Sequence, residues 1–241
     1  DILYIRTDVT SEQAVAQAQA QIIERFGRSP SYVVSCAGVA PAGALLTSPV
    51  KMFTRAFDIN AAANVVLAQA FLPAMISNNH GHFMTVASSA SYFSLPNLCA
   101  YSMSKTAALA FLESLRAELR AVYKACRVRT SVVTPTKVRT VLAEGLNEGD
   151  DDFLMPVLEP IQVARAMADT LNSGLSRNIS LPLGSALLPY LRALPEWYRG
   201  ALRAMGNTDA LVTPESISRG QQALRGHQSN LDHMKKLGVH S

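Results

Sequence analysis

The stretch "GHFMTVASSASYFSLPNLCAYSMSKTAALAF", residues 81–111, joins a continuous apolar run to a segment with helical periodicity. The run "GHFMTVASS" predicts a strand that is covered on both faces, because its apolar residues are consecutive and do not alternate with polar ones. The following segment predicts a helix over residues 100–123. A buried strand followed by a helix is the repeating unit of a parallel sheet flanked by helices.

The same alternation of strands and helices extends in both directions from this stretch. Further strands are predicted at residues 2–6, 31–38, 128–136 and 178–184. Further helices are predicted at residues 10–26, begun by a Thr10–Gln13 capping box and ended by Gly27, at residues 49–75, and at residues 159–173, with Pro160 in the first turn and Gly174 as the stop. The pattern predicts an α/β fold, a doubly wound parallel sheet with right-handed crossovers.

Composition excludes several classes of protein. Hydrophobic residues make up 49% of the 241-residue chain and charged residues 17%, which is enough to bury a large core and argues against disorder. A net charge of +4 is compatible with an anionic cofactor or a membrane surface but does not indicate a nucleic-acid partner. The three cysteines form no CxxC pair and the five histidines have no metal-ligand spacing. We therefore expect free thiols, a reducing compartment or its cytosolic membrane face, and no metal site.

The candidate functional residues lie just after the predicted strands, because sites in such sheets lie beyond the carboxyl ends of the strands. Tyr101 and Lys105, four residues apart, share one face of the predicted helix. Alone, such a pair is ordinary on a helix surface. Two further residues make it notable: Ser88 ends the strand before that helix, and Asn60 lies inside a predicted helix, where asparagine is unfavourable.

This combination resembles the short-chain dehydrogenase/reductase family, whose catalytic tetrad is an Asn, a Ser and a Tyr-x-x-x-Lys. The resemblance covers residues 1–182 and implies a Rossmann-like doubly wound sheet. It assigns the tetrad to Asn60, Ser88, Tyr101 and Lys105. It implies the cofactor NAD(P), with NADP preferred over NAD, and assigns cofactor contacts to Asp8, Val9, Ala37, Gly38, Asn60, Tyr101, Lys105, Pro135, Val138 and Thr140. For Asp8, an ordinary place at a turn after a strand explains the residue nearly as well.

The chemistry explains why these residue types belong together. Interconversion of an alcohol and a carbonyl needs a proton moved to or from the substrate oxygen, and a tyrosine with a pKa near ~10 is a poor base at neutral pH. The resemblance implies that the Lys105 ammonium, helped by a positive nicotinamide ring, lowers the pKa of Tyr101. It also implies that Ser88 binds the substrate oxygen and the tyrosine, and that Asn60 holds a water linking the lysine to solvent.

Three departures from the family pattern stand in the sequence. "SCAG" replaces Asn-Asn-Ala-Gly, with Ser35 and Cys36 in place of the two asparagines. Thr136 replaces the glycine of a Pro-Gly segment. The glycine-rich loop that opens the family fold and binds the pyrophosphate has no counterpart in these residues. We therefore expect an N-terminally truncated version of the fold, with weak cofactor binding and an unpaired edge at residues 2–6.

The composition changes after residue 183, which predicts a catalytic domain over residues 1–183 and an amphipathic extension and tail over residues 184–241. Within residues 184–205, apolar and basic residues recur near helical spacing, which suits either an interfacial helix or a substrate lid or dimer-packing helix. Pro189 and Pro195 exclude a single long helix there.

Three short segments, "FLPAM", "GHFMTVAS" and "VRT", resemble the branch of the family that includes retinol and hydroxysteroid dehydrogenases associated with membranes and lipid droplets. This resemblance implies a small apolar alcohol or ketone as substrate, such as a retinoid, sterol or long-chain lipid. It also implies the cytoplasmic side of the endoplasmic reticulum membrane or a lipid droplet, with a cytosolic location as the alternative, peripheral membrane contact through residues 184–205, and a homodimer. Two other functions stay open: a ketosphinganine-type reductase, and a catalytically inactive binding or scaffold protein of the same fold.

Overall fold

A computed structural model of the chain describes residues 1–143, 156–205, 212, 213, 215, 217 and 218. Its sheet has four parallel strands in the order β1-β2-β3-β4: β1 Tyr32–Ser35, β2 Gly81–Val86, β3 Val128–Pro135 and β4 Asn178–Leu181. Helices connect consecutive strands, as parallel pairing requires. The prediction of an α/β fold with a parallel sheet is confirmed.

The helices lie close to their predicted positions. They are α1 Glu12–Phe26, α2 Val50–Phe57, a π-helical turn Asp58–Ala62, α3 Ala63–Ser77, α4 Cys99–Ala121, α5 Pro160–Ser173, α6 Leu188–Leu191 and α7 Glu196–Met205. Gly27 and Gly174 end α1 and α5 in the left-handed conformation, with φ of 71° and 63°. The capping residue predicted for α1 is wrong by one position: Ser11 accepts from the Ala14 amide, because Thr10 bonds instead to Asp8.

The strand predicted at residues 2–6 is wrong. In the part of the chain that the structure describes, this segment has no regular secondary structure, and β1 pairs only with β2. A strand forms only when its backbone groups find a partner, and no described strand lies between residues 2–6 and β1. Ile2 is consequently fully exposed and Tyr4 largely so, although both have high strand propensity.

Two hydrophobic clusters cover the two faces of the sheet. Phe83 packs with α3 and α4 on one face, where Leu109 and Leu112 are buried, and Met84 packs with α5 on the other. Consecutive strand residues point to opposite faces, and both Phe83 and Met84 are fully buried. The continuous apolar run of β2 therefore reflects a strand covered on both sides.

The helical run of residues 50–77 is also long and apolar enough to cross a membrane by length and composition alone. The core helix of a folded domain passes the same test, and 44% of its most apolar window is buried. Phe71, Leu72 and Met75 pack into the first cluster. We therefore treat this run as a core helix.

Candidate active site

The site is built at the carboxyl ends of β1 and β2. After β2 ends at Val86, Ser88 caps a 3-10 turn, with its Oγ accepting from the Ala90 amide at 3.1 Å. The Ser88 side chain also lies close enough to the phenol of Tyr101, in the first turn of α4, to lower the pKa of that phenol. The structure therefore brings Ser88 and Tyr101 together beyond the strand ends.

Lys105, one helical turn after Tyr101, is not a solvated surface lysine. Its side chain is only 4% exposed, and its Nζ donates to the Val86 carbonyl at 2.8 Å. Burial lowers its pKa to about 8. The electrostatic effect of the nearby Cys36 is smaller and raises this pKa. Burying an ammonium is costly unless it has partners, so this placement argues for a role other than solubility.

The pKa of Tyr101 departs from expectation. Burial raises it above the ordinary value, and the hydrogen bond to Ser88 opposes this rise only in part. For the protein groups alone the net shift is upward, and its lowering by Lys105 together with a positive nicotinamide ring stays a prediction. The physical reason is that burial disfavours the charged phenolate, while the ammonium of Lys105 is directed to the Val86 carbonyl.

Asn60 lies in the π-helical turn between α2 and α3 and is almost fully buried. Its Oδ1 accepts from the Val39 amide at 2.8 Å. Its Nδ2 donates to the Val39 carbonyl at 2.8 Å and to Ser104 Oγ at 2.8 Å. These bonds explain an asparagine inside a helix: its side chain fastens the loop after β1 to the turn and to α4. Single π turns are frequent at functional sites.

Gly38 stands where β1, the π turn and α4 meet. A Cβ atom at this position would lie 3.1 Å from Asn60 Oδ1 and 3.3 Å from Lys105 Nζ. The glycine therefore permits the close approach of the loop backbone to Asn60 and Lys105. The glycine leaves an open backbone surface beside the buried Lys105 and the partly exposed Tyr101, and contact of this surface with a cofactor stays a prediction. Ala37, exposed, directly precedes it on the same edge.

Asp8 and Val9 lie apart from this cluster, before α1. The Asp8 carboxylate accepts from the amide and hydroxyl of Thr10 at 3.0 and 2.7 Å, and these bonds, with a smaller contribution from Arg55, lower its pKa. This is the arrangement of an aspartate at a turn before a helix. Contact of Asp8 and Val9 with a cofactor stays a prediction.

The segment after β3 is held at both ends. Pro135 ends the strand and is buried, and the Thr136 amide donates to the Leu181 carbonyl at 2.8 Å. Val138 forms a bridge with Leu158, and the Thr140 hydroxyl donates to the Val138 carbonyl at 3.3 Å. Thr136 does not have a positive φ, so replacing the glycine of the family pattern causes no left-handed strain. Cofactor contacts of this segment stay predictions.

Sequence reasoning did not single out Ser104 or Asn64. Ser104 Oγ accepts from Asn60 and donates to the Tyr101 carbonyl at 2.8 Å, so it joins two of the predicted catalytic residues. Asn64 is buried and bonds to the backbone of the π turn. The available signal was position: Ser104 directly precedes Lys105, and Asn64 lies one helical turn after Asn60.

A cavity lies outside this site, beside the outer edge of β1. It measures about 730 Å³ and runs along residues 3–7, the buried side of α1 and residues 28–32, next to the outer edge of β1. None of the four tetrad residues lines it. This cavity is the space left beside a strand that pairs on one side only, so we assign it no part in the site.

The family model described as short chain dehydrogenase matches residues 1–151. Dehydrogenase RED3 of Cochliobolus heterostrophus is 40% identical over 131 residues, which cover 54% of this chain and 66% of the relative. Estradiol 17-beta-dehydrogenase 11 of Homo sapiens is 37% identical over 175 residues, covering 72% of this chain and 56% of the relative. The chain thus spans about half to two thirds of the length of these curated relatives.

A solved structure gives the same fold. An alcohol dehydrogenase from the archaeon Thermococcus sibiricus, complexed with 5-hydroxy-NADP, superposes with a TM-score of 0.64 at 21% identity. The match covers 75% of this chain and 74% of that chain.

Proposed function

Because this chain belongs to the short-chain dehydrogenase family, we propose that it interconverts an apolar alcohol and its ketone or aldehyde, with Tyr101 as the acid–base residue. The observation that carries this proposal is the buried Lys105, which bonds to the end of β2 one turn after Tyr101 on α4, with Ser88 near the phenol of Tyr101. A partly exposed tyrosine beside a buried lysine at the carboxyl edge of a parallel sheet is suited to proton transfer with a substrate.

Each side chain has one task in this mechanism. Tyr101 donates a proton to the carbonyl oxygen in reduction and accepts it in oxidation, while the Ser88 hydroxyl holds the same oxygen by a hydrogen bond. Lys105, with a pKa of about 8, is poised to exchange protons near neutral pH. Asn60 holds the loop after β1 through Val39, which fixes the backbone at Gly38.

We propose NAD(P) as cofactor, with NADP preferred, and it supplies the hydride donor or acceptor when bound. Lys105, Tyr101 and Gly38 would hold its nicotinamide and ribose end. We propose a retinoid, sterol or long-chain lipid as substrate. The name of the human relative, an estradiol 17-beta-dehydrogenase, supports a sterol-sized alcohol, and that of the murine epidermal retinol dehydrogenase 2, 32% identical over 164 residues, supports a retinoid.

We propose that residues 184–205 have two faces with different partners. On one side, the Arg203 guanidinium lies 5.0 Å from the Phe93 ring centroid, on the loop between Ser88 and Tyr101. Further along the chain, the Val212 carbonyl accepts from the Asn97 side chain on that same loop at 2.8 Å. These contacts support a wall of the substrate site. Large apolar side chains nevertheless stay exposed in and beside this segment: Leu183, Leu187, Tyr190, Trp197 and Met205.

Such exposed aromatic and aliphatic side chains support peripheral contact with a membrane or lipid droplet, and with it a place on the cytoplasmic side of the endoplasmic reticulum membrane or a lipid droplet. Trp197 is the only tryptophan of the chain, so its fluorescence reports on this segment directly. A blue shift on addition of lipid vesicles is the expected result. An unchanged spectrum would leave the wall of the substrate site as the role of the segment.

The proposal is tested with Tyr101→Phe in the full-length enzyme, assayed with retinol, estradiol, a long-chain alcohol and 3-ketosphinganine against NAD(H) and NADP(H). We expect turnover to vanish while cofactor binding persists, because only the proton relay is removed. The matched control is Tyr123→Phe, which removes a phenol exposed beyond the end of α4. Wild-type turnover by Tyr101→Phe would contradict the assignment. If the wild-type enzyme turns over only 3-ketosphinganine, the reductase alternative is favoured. If the wild type turns over none of these substrates, the inactive binding protein is favoured.

A further inference from the structure

Backbone carbonyls in the π turn accept hydrogen bonds from one side chain, that of Asn64. A π turn departs from the regular i→i+4 ladder, so carbonyls near it need other donors, and buried carbonyls without donors are costly. The carbonyls of Asn60 and Ala61 both lie in this turn, and both residues are buried. The Nδ2 of Asn64 donates to the Asn60 carbonyl at 2.9 Å and to the Ala61 carbonyl at 3.1 Å.

The other end of the same amide reaches the sheet. Asn64 Oδ1 accepts from the Thr85 hydroxyl at 3.1 Å, and both side chains are almost fully buried. Thr85 lies on β2, three residues before Ser88. Asn64 therefore joins the strand that leads to Ser88 with the turn that contains Asn60. An amide suits this place because it donates and accepts at once.

We infer that Asn64 is a positioning residue: it holds the π turn open, and thereby keeps Asn60 bonded to Val39 beside Lys105. Without the two bonds to the turn, the segment gains by closing into regular α-helix. Each residue of an α-helix advances by about 100°, so removing the extra residue of the turn would rotate Asn60 away from Val39. The loop backbone at Gly38 would then lose the contact that fixes it beside Lys105.

The role of Asn64 in turnover rests on the proposed function, whereas its hold on Asn60 does not. The test therefore has two readouts in the full-length protein. Hydrogen exchange at the Val39 amide, which donates to Asn60 Oδ1, reports whether Asn60 is in place. The pH profile and the separate kcat and KM values report the effect on the reaction.

We call the two bonds of Asn64 to the π turn and its bond to Thr85 the Asn64 clamp, and two variants test it. Asn64→Leu removes both ends of the clamp, and Thr85→Val removes only the hydroxyl donor at nearly constant volume. We expect Val39 exchange to quicken at least about tenfold in Asn64→Leu, the equivalent of one lost net hydrogen bond, and by a smaller factor in Thr85→Val, which keeps both bonds of Asn64 to the turn. We expect kcat to fall by about tenfold, KM to change little, and the pH profile to shift, because Lys105 loses its fixed surroundings. Thr85→Ser keeps the donor and is expected to restore all these values.

The matched control is Thr170→Val, which removes a buried hydroxyl that bonds only within α5, to the Ala166 carbonyl. It is expected to lower stability without changing Val39 exchange or the pH profile. Val39 protection unchanged in Asn64→Leu and Thr85→Val would overturn the inference. So would quicker exchange with wild-type kcat and pH profile, since the clamp would then be structural only. Absence of turnover in the wild-type enzyme would count against the proposed function alone, because the exchange readout still decides where Asn60 is held.

Discussion

Replacing Lys105 by methionine should change how the stability of the protein depends on pH. The folded protein lowers the pKa of Lys105 from 10.5 to about 8, because the ammonium is buried. Folding therefore releases a proton from this residue between these two values. The stability associated with Lys105 is fully present above the unfolded pKa and is lost as the pH falls through the folded one.

The size of the effect follows from the shift. A difference of about 2.5 units corresponds to about 3 kcal/mol between the two extremes, at roughly 1.4 kcal/mol per unit. The linkage relation places about 2 kcal/mol of this difference in the free energy of unfolding between pH 7 and pH 9.5. In this interval the free energy of unfolding of the wild type should rise by about 2 kcal/mol relative to Lys105→Met, which has no ionisable group there. Methionine has a similar length and no charge, so it occupies the same space.

The assay is urea unfolding of the cofactor-free protein at several pH values, with the difference between wild type and variant taken at each. Taking the difference removes the contribution of Tyr101, which both proteins retain. Lys51→Met, an exposed lysine on α2, serves as the control and should give a difference independent of pH. Parallel pH profiles for wild type and Lys105→Met would refute the conclusion that burial holds the lysine near neutrality.

Three further predictions concern other parts of the molecule. Gly38→Ala should lower turnover and the melting temperature, because its Cβ would press on Asn60 and Lys105, whereas Gly200→Ala on α7 meets no atom within 4 Å and should cost nothing; equal melting temperatures would contradict this. Burial lowers the pKa of His82 to about 4, so wild-type stability should fall as the pH drops below 6.5 while His82→Gln shows a shallower fall; equal slopes in urea unfolding at acid pH would be against it. The 241-residue chain alone should bind NADH and NADPH weakly, since it contains no glycine-rich loop for the pyrophosphate, and micromolar dissociation constants in a fluorescence titration would contradict that.

The regular elements could be predicted from the sequence because their signals are local. The apolar runs of β1 to β3, the glycines that end α1 and α5, and Pro160 at the start of α5 each act within a few residues. The spacing of Ser88, Tyr101 and Lys105 also follows from local geometry: a strand end and one helical turn. The catalytic and cofactor roles of these residues stay predictions, and the mutations above test the central ones.

Other features depend on partners that lie far away in the chain. Residues 2–6 have the composition of a strand, but a strand also needs a neighbour, and the described structure provides none. The shifted pKa of Lys105 comes from burial against Val86, which lies 19 residues earlier. No local pattern contains this information.

The π turn shows most clearly which features follow from the sequence and which depend on the tertiary structure. The sequence by itself determined that an asparagine interrupts a helix before β2, and that it accompanies a tyrosine and a lysine on the next helix. Only the tertiary structure decided the form of that interruption. Val39 and Ser104, 21 and 44 residues away, bond the side chain of Asn60, and Thr85 holds the Asn64 clamp. A π turn is less favourable than α-helix, so it persists only where such distant, buried hydrogen bonds outweigh the local preference.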